Sequence, residues 1–150
     1  MSATSEPGGT LPKYKIHWHV VLIHLPTGFF LATALFSFLF LLIPISCFEI
    51  AGIITLAIGF LGMIPVICTG WFTWKGKYKG FQGLLFQRKI LTAFAMLSVS
   101  LVLLATHILS EFLFHFGTDI SWRVIYFIVA LILAFGAGIE GYYGGRLNHK

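Results

Sequence analysis

Long runs of apolar residues, separated by short polar stretches, set the pattern of this chain. Four runs reach the length of roughly 20 residues that a helix needs to cross about 30 Å of hydrocarbon. They comprise residues 20–45, 48–72, 90–114 and 122–142. The linkers are short, except for residues 74–89 between the second and third runs. The pattern predicts an all-α integral membrane protein, a four-helix up-down bundle.

Composition agrees with lipid as the solvent of the chain. Of its 150 residues, 58% are hydrophobic and only 10% are charged, and its mean hydropathy is +0.93. A soluble domain carries roughly 25% charged residues. We therefore expect a polar N-terminal extension over residues 1–16, one four-span domain over 17–146 and a short cytoplasmic tail over 147–150.

The basic residues predict the orientation of the chain. With four spans, every lysine and arginine except Arg123 falls on one side, and Arg123 shares the other side with Glu49 and Asp119. The positive-inside rule then places both termini in the cytoplasm, in a bacterial inner membrane. The net charge of +5 is thus interpreted as a topology signal and a contact with anionic lipid. We expect no nucleic-acid partner.

Small residues recur along two of the predicted helices at spacings of three or four. Such residues let transmembrane helices approach closely. The positions predicted to pack in this way are Gly59, Gly62, Ala130, Ala134, Gly138, Gly141 and Gly145. Cys47 and Cys68 are about 30 Å apart along the second helix, beyond disulfide reach, and are interpreted as packing residues.

His24 and Glu140 lie at the predicted cytoplasmic side. We expect Pro26 to open the first membrane helix with Leu25 as its cap, so that His24 faces the interior and pairs with Glu140. His24 is then a candidate haem ligand, quinone contact or proton relay. The alternative is an interfacial histidine that binds backbone groups near Pro26. His17 and His19 are expected in the headgroup layer.

His107, Glu111 and His115 share one face of the third helix at the other side. This face is interpreted as a solvated interface, with a proton, quinone or metal site as alternatives. His107 is a candidate cofactor ligand. No complete metal site is predicted, since the second helix offers only Glu49 nearby.

The two candidate histidines lie at different depths in the membrane, which bears on haem binding within this chain. His24 and His107 lie near opposite faces of the membrane and cannot hold one haem together. A b-type haem would therefore need Met63, Met96 or a ligand from another subunit.

Three segments carry a resemblance to a known family. HVVLIHLPTGF, from His19, keeps both histidines and the proline of the family opening HP-x-x-V-H-F-P-I-A-L. TGWFTW, from Thr69, matches the second-span ending T-G-x-x-D-W apart from the acid, and GYYGGRL, from Gly141, matches the fourth-span ending G-x-x-G-G-x-L. Together these segments resemble the bacterial four-helix membrane family catalogued as domain of unknown function twenty-two thirty-one.

The departures from that family bear on function. Thr73 stands where the family has aspartate, Arg88 replaces its histidine, Thr92 its asparagine and Val20 its first proline. The resemblance implies that this chain keeps His19 and His24 but has lost their acid and histidine partners. A structural or partner-bound role is therefore favoured.

These observations favour a non-catalytic membrane subunit that packs within a larger bacterial complex for electron transfer or photosynthesis. No catalytic residue is predicted, and the expected partners are the lipid bilayer, bound lipids and other membrane subunits. The alternative is an electron-transfer protein that binds b-type haem or quinone through His24.

Overall fold

The computed structural model describes the backbone of residues 18–77, 83–114 and 119–148. Side-chain placement is described for residues 22–72, 74–76, 83–84, 87–110 and 119–143. Four helices account for nearly all of the described backbone, with no strand among these residues: α1 (Trp18–Leu42), α2 (Ser46–Lys77), α3 (Leu84–Phe114) and α4 (Ile120–Asn148). The predicted all-α four-helix bundle is confirmed. The extension over residues 1–16 lies outside the described residues.

Each helix contains a segment long and apolar enough to cross a membrane. These segments are Leu22–Leu42, Ser46–Gly76, Gln87–Ser110 and Ile120–Tyr143. Large apolar side chains cover the outside of the bundle; Phe135, for example, is 73% exposed and Leu91 is 72% exposed. Such a surface is compatible with hydrocarbon and unfavourable in water. The chain therefore has the structure of a multi-pass membrane protein.

The four helices form a square in which each contacts its two neighbours. α1 packs against α2 and α4, and α3 packs against the same two helices. Among the described residues the backbones of the two diagonal pairs lie farther apart, although Tyr126 of α4 reaches toward Gly52 of α2. Consecutive helices run antiparallel. We call the end that carries Lys75, Arg88 and Lys89 the basic end, and the end that carries Glu49 and Asp119 the acidic end.

Packing shape, and not hydrophobicity, determines which side chains form the core, since the outside of the bundle is as apolar as the inside. Phe30, Leu56 and Leu133 are fully buried and pack with Met63, Met96 and Ala137 in one cluster. Gly59 makes room for Phe30: a Cβ at this position would lie 2.9 Å from Phe30 Cε1. Gly62 approaches Leu25 and Pro26 in the same way. Both glycines therefore lie in the α1–α2 contact, as their spacing predicts.

The predicted stripe of small residues on α4 holds over only part of its length. Ala130 and Ala134 are buried against Ala34 of α1. Gly138 and Gly141 are exposed, and no described atom lies within 4 Å of a Cβ built at either position, so their predicted packing inside the bundle is wrong. At about 100° per residue, Gly138 lies about 80° around the helix from Ala130, and Ala137 takes the inward position instead. Gly145 lies outside the residues with described side chains.

Pro26 lies inside α1 and does not begin it. The helix begins at Trp18, so the prediction that Leu25 caps it is wrong. Proline removes one backbone donor from the helix interior, an arrangement that neighbouring helices make tolerable in membrane proteins. Here the ring packs against Gly62. Cys47 and Cys68 are both exposed, so neither is the packing residue that we expected.

Candidate functional site

Three helices bring polar side chains together inside the acidic end of the bundle. Glu49 comes from the first turn of α2, His107 from α3 and Tyr126 from α4. His107 is only 3% exposed, and its Nε2 lies 3.6 Å from Glu49 Oε1. An ionisable pair at this depth is costly unless its members interact, and it is therefore informative about function.

Aromatic rings enclose His107 on the α4 side. Its ring centroid lies 5.3 Å from that of Tyr126 and 6.3 Å from that of Trp122. The buried Tyr126 lies close to the backbone of α2, since a Cβ at Gly52 would be at a van der Waals distance of 3.6 Å from the Tyr126 hydroxyl. Arg123 lies over the ring of Phe40, with 5.6 Å between its Cζ and the ring centroid. The site is therefore polar at its centre and apolar around it.

The burial of His107 changes how its helix face is interpreted. A solvated interface is wrong for His107, while the side chains of Glu111 and His115 lie outside the described residues. The described residues contain no group of three side chains suited to a metal ion. At 3.6 Å the histidine and the carboxylate are beyond hydrogen-bond distance, and they form an ion pair when the histidine is protonated.

A second buried polar group lies toward the basic end. Glu140 of α4 is 8% exposed, and no described group donates a hydrogen bond to its Oε1. Lys89 of α3 interacts with it electrostatically. Glu140 also lines a cavity of about 20 Å³ in the middle of the bundle.

His24 does not join Glu140. The histidine is exposed, and no hydrogen bond or ion pair connects it with the buried Glu140, so the predicted pair and the inward orientation of His24 are wrong. The reason is helical geometry, because His24 lies about 200° around α1 from Pro26, which lines the cavity. The side chains of His17 and His19 lie outside the described residues.

The methionines proposed as haem ligands do not fit that role in this geometry. Met63 and Met96 are buried in the core and line the small cavity, whereas His24 is on the outer surface. His107 lies eleven residues from Met96 on the same helix, about 16 Å along its axis. Neither His24 nor His107 therefore shares a space with these methionines among the described residues, and a haem ligand from another subunit stays a prediction.

The sequence pattern alone does not identify Tyr126, Lys89 or Gly52 as partners of these sites. A signal existed for Tyr126, which follows Arg123 and Trp122 at spacings of three and four on the inward face of α4. Lys89 was interpreted only as a topology signal. Its position one helical turn before Ala93, on the inward face of α3, could have indicated its electrostatic interaction with Glu140.

No protein-family model, curated protein or solved structure matches the chain. The resemblance to the four-helix family therefore stays a prediction. The site must be interpreted from its own chemistry.

Proposed function

We propose that the protein is a non-catalytic subunit of a larger membrane complex, in a bacterial inner membrane and with both termini in the cytoplasm. The observation that supports this proposal is the exposure of Gly138 and Gly141 on α4. These glycines present a bare stretch of helix backbone to whatever surrounds the bundle.

Exposed glycine in a membrane helix calls for a physical reason. Glycine costs a helix about 1 kcal/mol relative to alanine, and lipid accommodates larger apolar side chains equally well. A neighbouring helix, in contrast, gains van der Waals contact where small residues let two backbones approach. Gly138 and Gly141, three residues apart, therefore suit a partner helix better than lipid.

The packing of α3 also supports a partner. Only 22% of its membrane-spanning window is buried inside the bundle, against 33% for α1 and α4. Its outward face carries the small exposed residues Ala95, Ser98 and Ala105. A helix from another subunit beside α3 would bury surface that this chain leaves uncovered.

We assign the complex to electron transfer or photosynthesis on the basis of aromatic surface. Phe72 and Phe135 are each 73% exposed, and Phe94 is 48% exposed. Flat rings on a lipid-facing surface suit contact with pigments and quinones as well as with other helices. The assignment of the basic end to the cytoplasm follows the positive-inside rule, with Lys75, Arg88 and Lys89 near that end.

Replacing Gly138 with leucine tests the proposal. We expect Gly138→Leu to keep the thermal stability of the purified protein, because a side chain there meets no described atom of the bundle. The same variant should release the protein from its complex, seen as a loss of the large species on a native gel of solubilised membranes. Retention of the large species would contradict the proposal.

Gly28→Leu is the matched control, because Gly28 is also exposed, helical and free of described atoms within 4 Å of a Cβ. Its exposed neighbours three residues away are the large Leu25 and Leu31, and no second glycine extends the small surface as Gly141 does for Gly138, so Gly28→Leu should leave the complex intact. Ala130→Leu is the opposite control: Ala130 is fully buried, so this variant should destabilise the bundle itself.

The alternative function, binding of b-type haem or quinone through His24, stays a prediction. If this function is correct, the protein purified from its native membrane will show a reduced haem band or release quinone on extraction, and His24→Ala will remove the signal.

A further inference from the structure

The cavity between the four helices is lined mainly by apolar side chains, with Thr27 and Glu140 as its polar residues. It is lined from α1 by Thr27 and Phe30, from α2 by Met63, from α3 by Met96 and from α4 by Ala137 and Glu140. Its volume of about 20 Å³ exceeds the roughly 10–15 Å³ that one water molecule requires. The cavity is therefore large enough for water and too small for a cofactor.

Two polar groups face this space. Glu140 is more than nine-tenths buried, and its Oε1 receives no hydrogen bond from any described group. Thr27 donates its hydroxyl proton to Ile23 O at 2.9 Å, which leaves the hydroxyl oxygen able to accept a hydrogen bond. A buried water needs at least two polar partners, and Glu140 and Thr27 are the two polar residues among those that line the cavity.

The charges around Glu140 differ among the four helices. The described cavity residues of α1 and α2 carry no titratable group. On α3, Lys89 lies four residues nearer to the basic end than Ala93, which lines the cavity, and it interacts electrostatically with Glu140. Among the described side chains, Lys89 is the cation that interacts electrostatically with Glu140, and it lies nearer to the basic end than the cavity does.

We propose that this cavity is a hydrated proton-binding site, in which water joins Glu140 to Thr27 and the carboxyl group exchanges a proton with the basic end. In uptake, one proton moves from a hydronium ion at that end to a carboxylate oxygen of Glu140, which leaves water and a neutral carboxyl group. Release is the reverse step, and no other bond forms or breaks. The site is independent of the partner surface on α4.

The physical reason for the proposal is the cost of burying an ionised carboxylate. Burial of such a charge is very unfavourable unless hydrogen bonds and a counter-charge compensate it. The carboxylate form has Lys89 as its counter-charge, and the neutral form needs none. Neither the carboxylate, which Lys89 stabilises, nor the neutral carboxyl group is strongly disfavoured. Glu140 can therefore gain and lose a proton.

Infrared difference spectroscopy of the purified protein tests this site. On acidification the protonated carboxyl groups of the chain give carbonyl stretching bands, and we expect one of these bands to be present in the wild type and lost in Glu140→Gln. The exposed Asp119 provides the control, and Asp119→Asn should retain the band. A Glu140→Gln spectrum that keeps every wild-type band, or a wild type without such bands, would overturn the proposal.

Two further measurements do not depend on the folding of Glu140→Gln. In D₂O the wild-type band should shift to lower frequency within minutes, because the proton exchanges with solvent through the hydrated cavity. In Ala93→Leu, which fills the cavity, the band should move to the higher frequency of a carboxyl group without a hydrogen-bond partner. An unshifted band in D₂O would mean that the proton is trapped, and an unchanged band in Ala93→Leu would mean that no cavity water binds it.

Discussion

At the scale of single residues, two histidines of this chain have opposite environments. His107 is buried beside Glu49 and Tyr126, whereas His24 is exposed on the outside of α1. The sequence pattern predicts the reverse, with His24 in the interior and His107 on a solvated face. The difference comes from helix rotation, because a buried face depends on which neighbouring helix lies beside it.

Truncation of His107 should therefore destabilise the protein. We expect His107→Ala to lower the free energy of unfolding in detergent by about 1–3 kcal/mol, because it removes a buried ring that packs beside Tyr126 and the ion-pair neighbour of the half-buried Glu49 carboxyl group. Thermal unfolding followed by circular dichroism measures the effect. In the double variant with Glu49→Gln the two losses should not add, because both remove the same interaction.

His24→Ala provides the control for that measurement. An exposed side chain without a bonding partner should change stability by less than about 0.5 kcal/mol. If His24→Ala destabilised the protein more than His107→Ala, the environments assigned to the two histidines would be reversed.

At the scale of helices, one side-chain hydrogen bond connects α1 with α2. Thr33 is fully buried and donates to Thr55 Oγ1 at 3.0 Å, and Thr55 in turn donates to Ala51 O at 2.8 Å. Between membrane helices such bonds contribute about 0.6 kcal/mol on average, since the separated helices find other partners.

We expect Thr33→Val and Thr55→Val to be coupled by about 0.5–1.5 kcal/mol in a double-mutant cycle of unfolding. Thr106→Val is the control, because the exposed Thr106 hydroxyl donates only to carbonyl groups of its own helix. Additive effects of the two valine substitutions would show that the interhelical bond contributes nothing to stability.

Helix positions were predictable from the sequence and helix faces were not. The four apolar runs overlap the four helices because crossing hydrocarbon requires a minimum length of apolar chain. In lipid, however, a phenylalanine can face either the core or the hydrocarbon. Phe30 is buried and Phe135 is exposed, and residue type alone does not distinguish them. Small residues predict helix contacts correctly at Gly59, which packs against the ring of Phe30. They do not do so at Gly138, where no described atom of the bundle lies nearby.

At the scale of the whole molecule, the two native cysteines offer a test of orientation. Cys47 is the second residue of α2 at the acidic end, and it is exposed. In a Cys68→Ser variant, we expect a membrane-impermeant maleimide added to intact cells to modify Cys47, since thiols at the outer surface reach water. Modification is measured by mass.

The matched variant removes both native cysteines and introduces Lys75→Cys at the basic end, which the reagent should reach only after the cells are opened. Labelling of this variant in intact cells, with Cys47 protected, would place both termini outside. The labelling experiment thus tests the orientation of the protein in the membrane, which is predicted from charge. The four-helix bundle itself does not depend on that orientation.

The close contact between α1 and α2 has a consequence for how the chain is made. Only residues 43–45 join the two helices, and backbone hydrogen bonds such as Ile43 N to Leu39 O, at 2.8 Å, close this turn locally. Once Lys77 has left the ribosome, the two helices have every residue they need to pair as a hairpin. We therefore expect the hairpin to enter the bilayer as a unit, and α3 to remain a lipid-exposed intermediate until α4 closes the square.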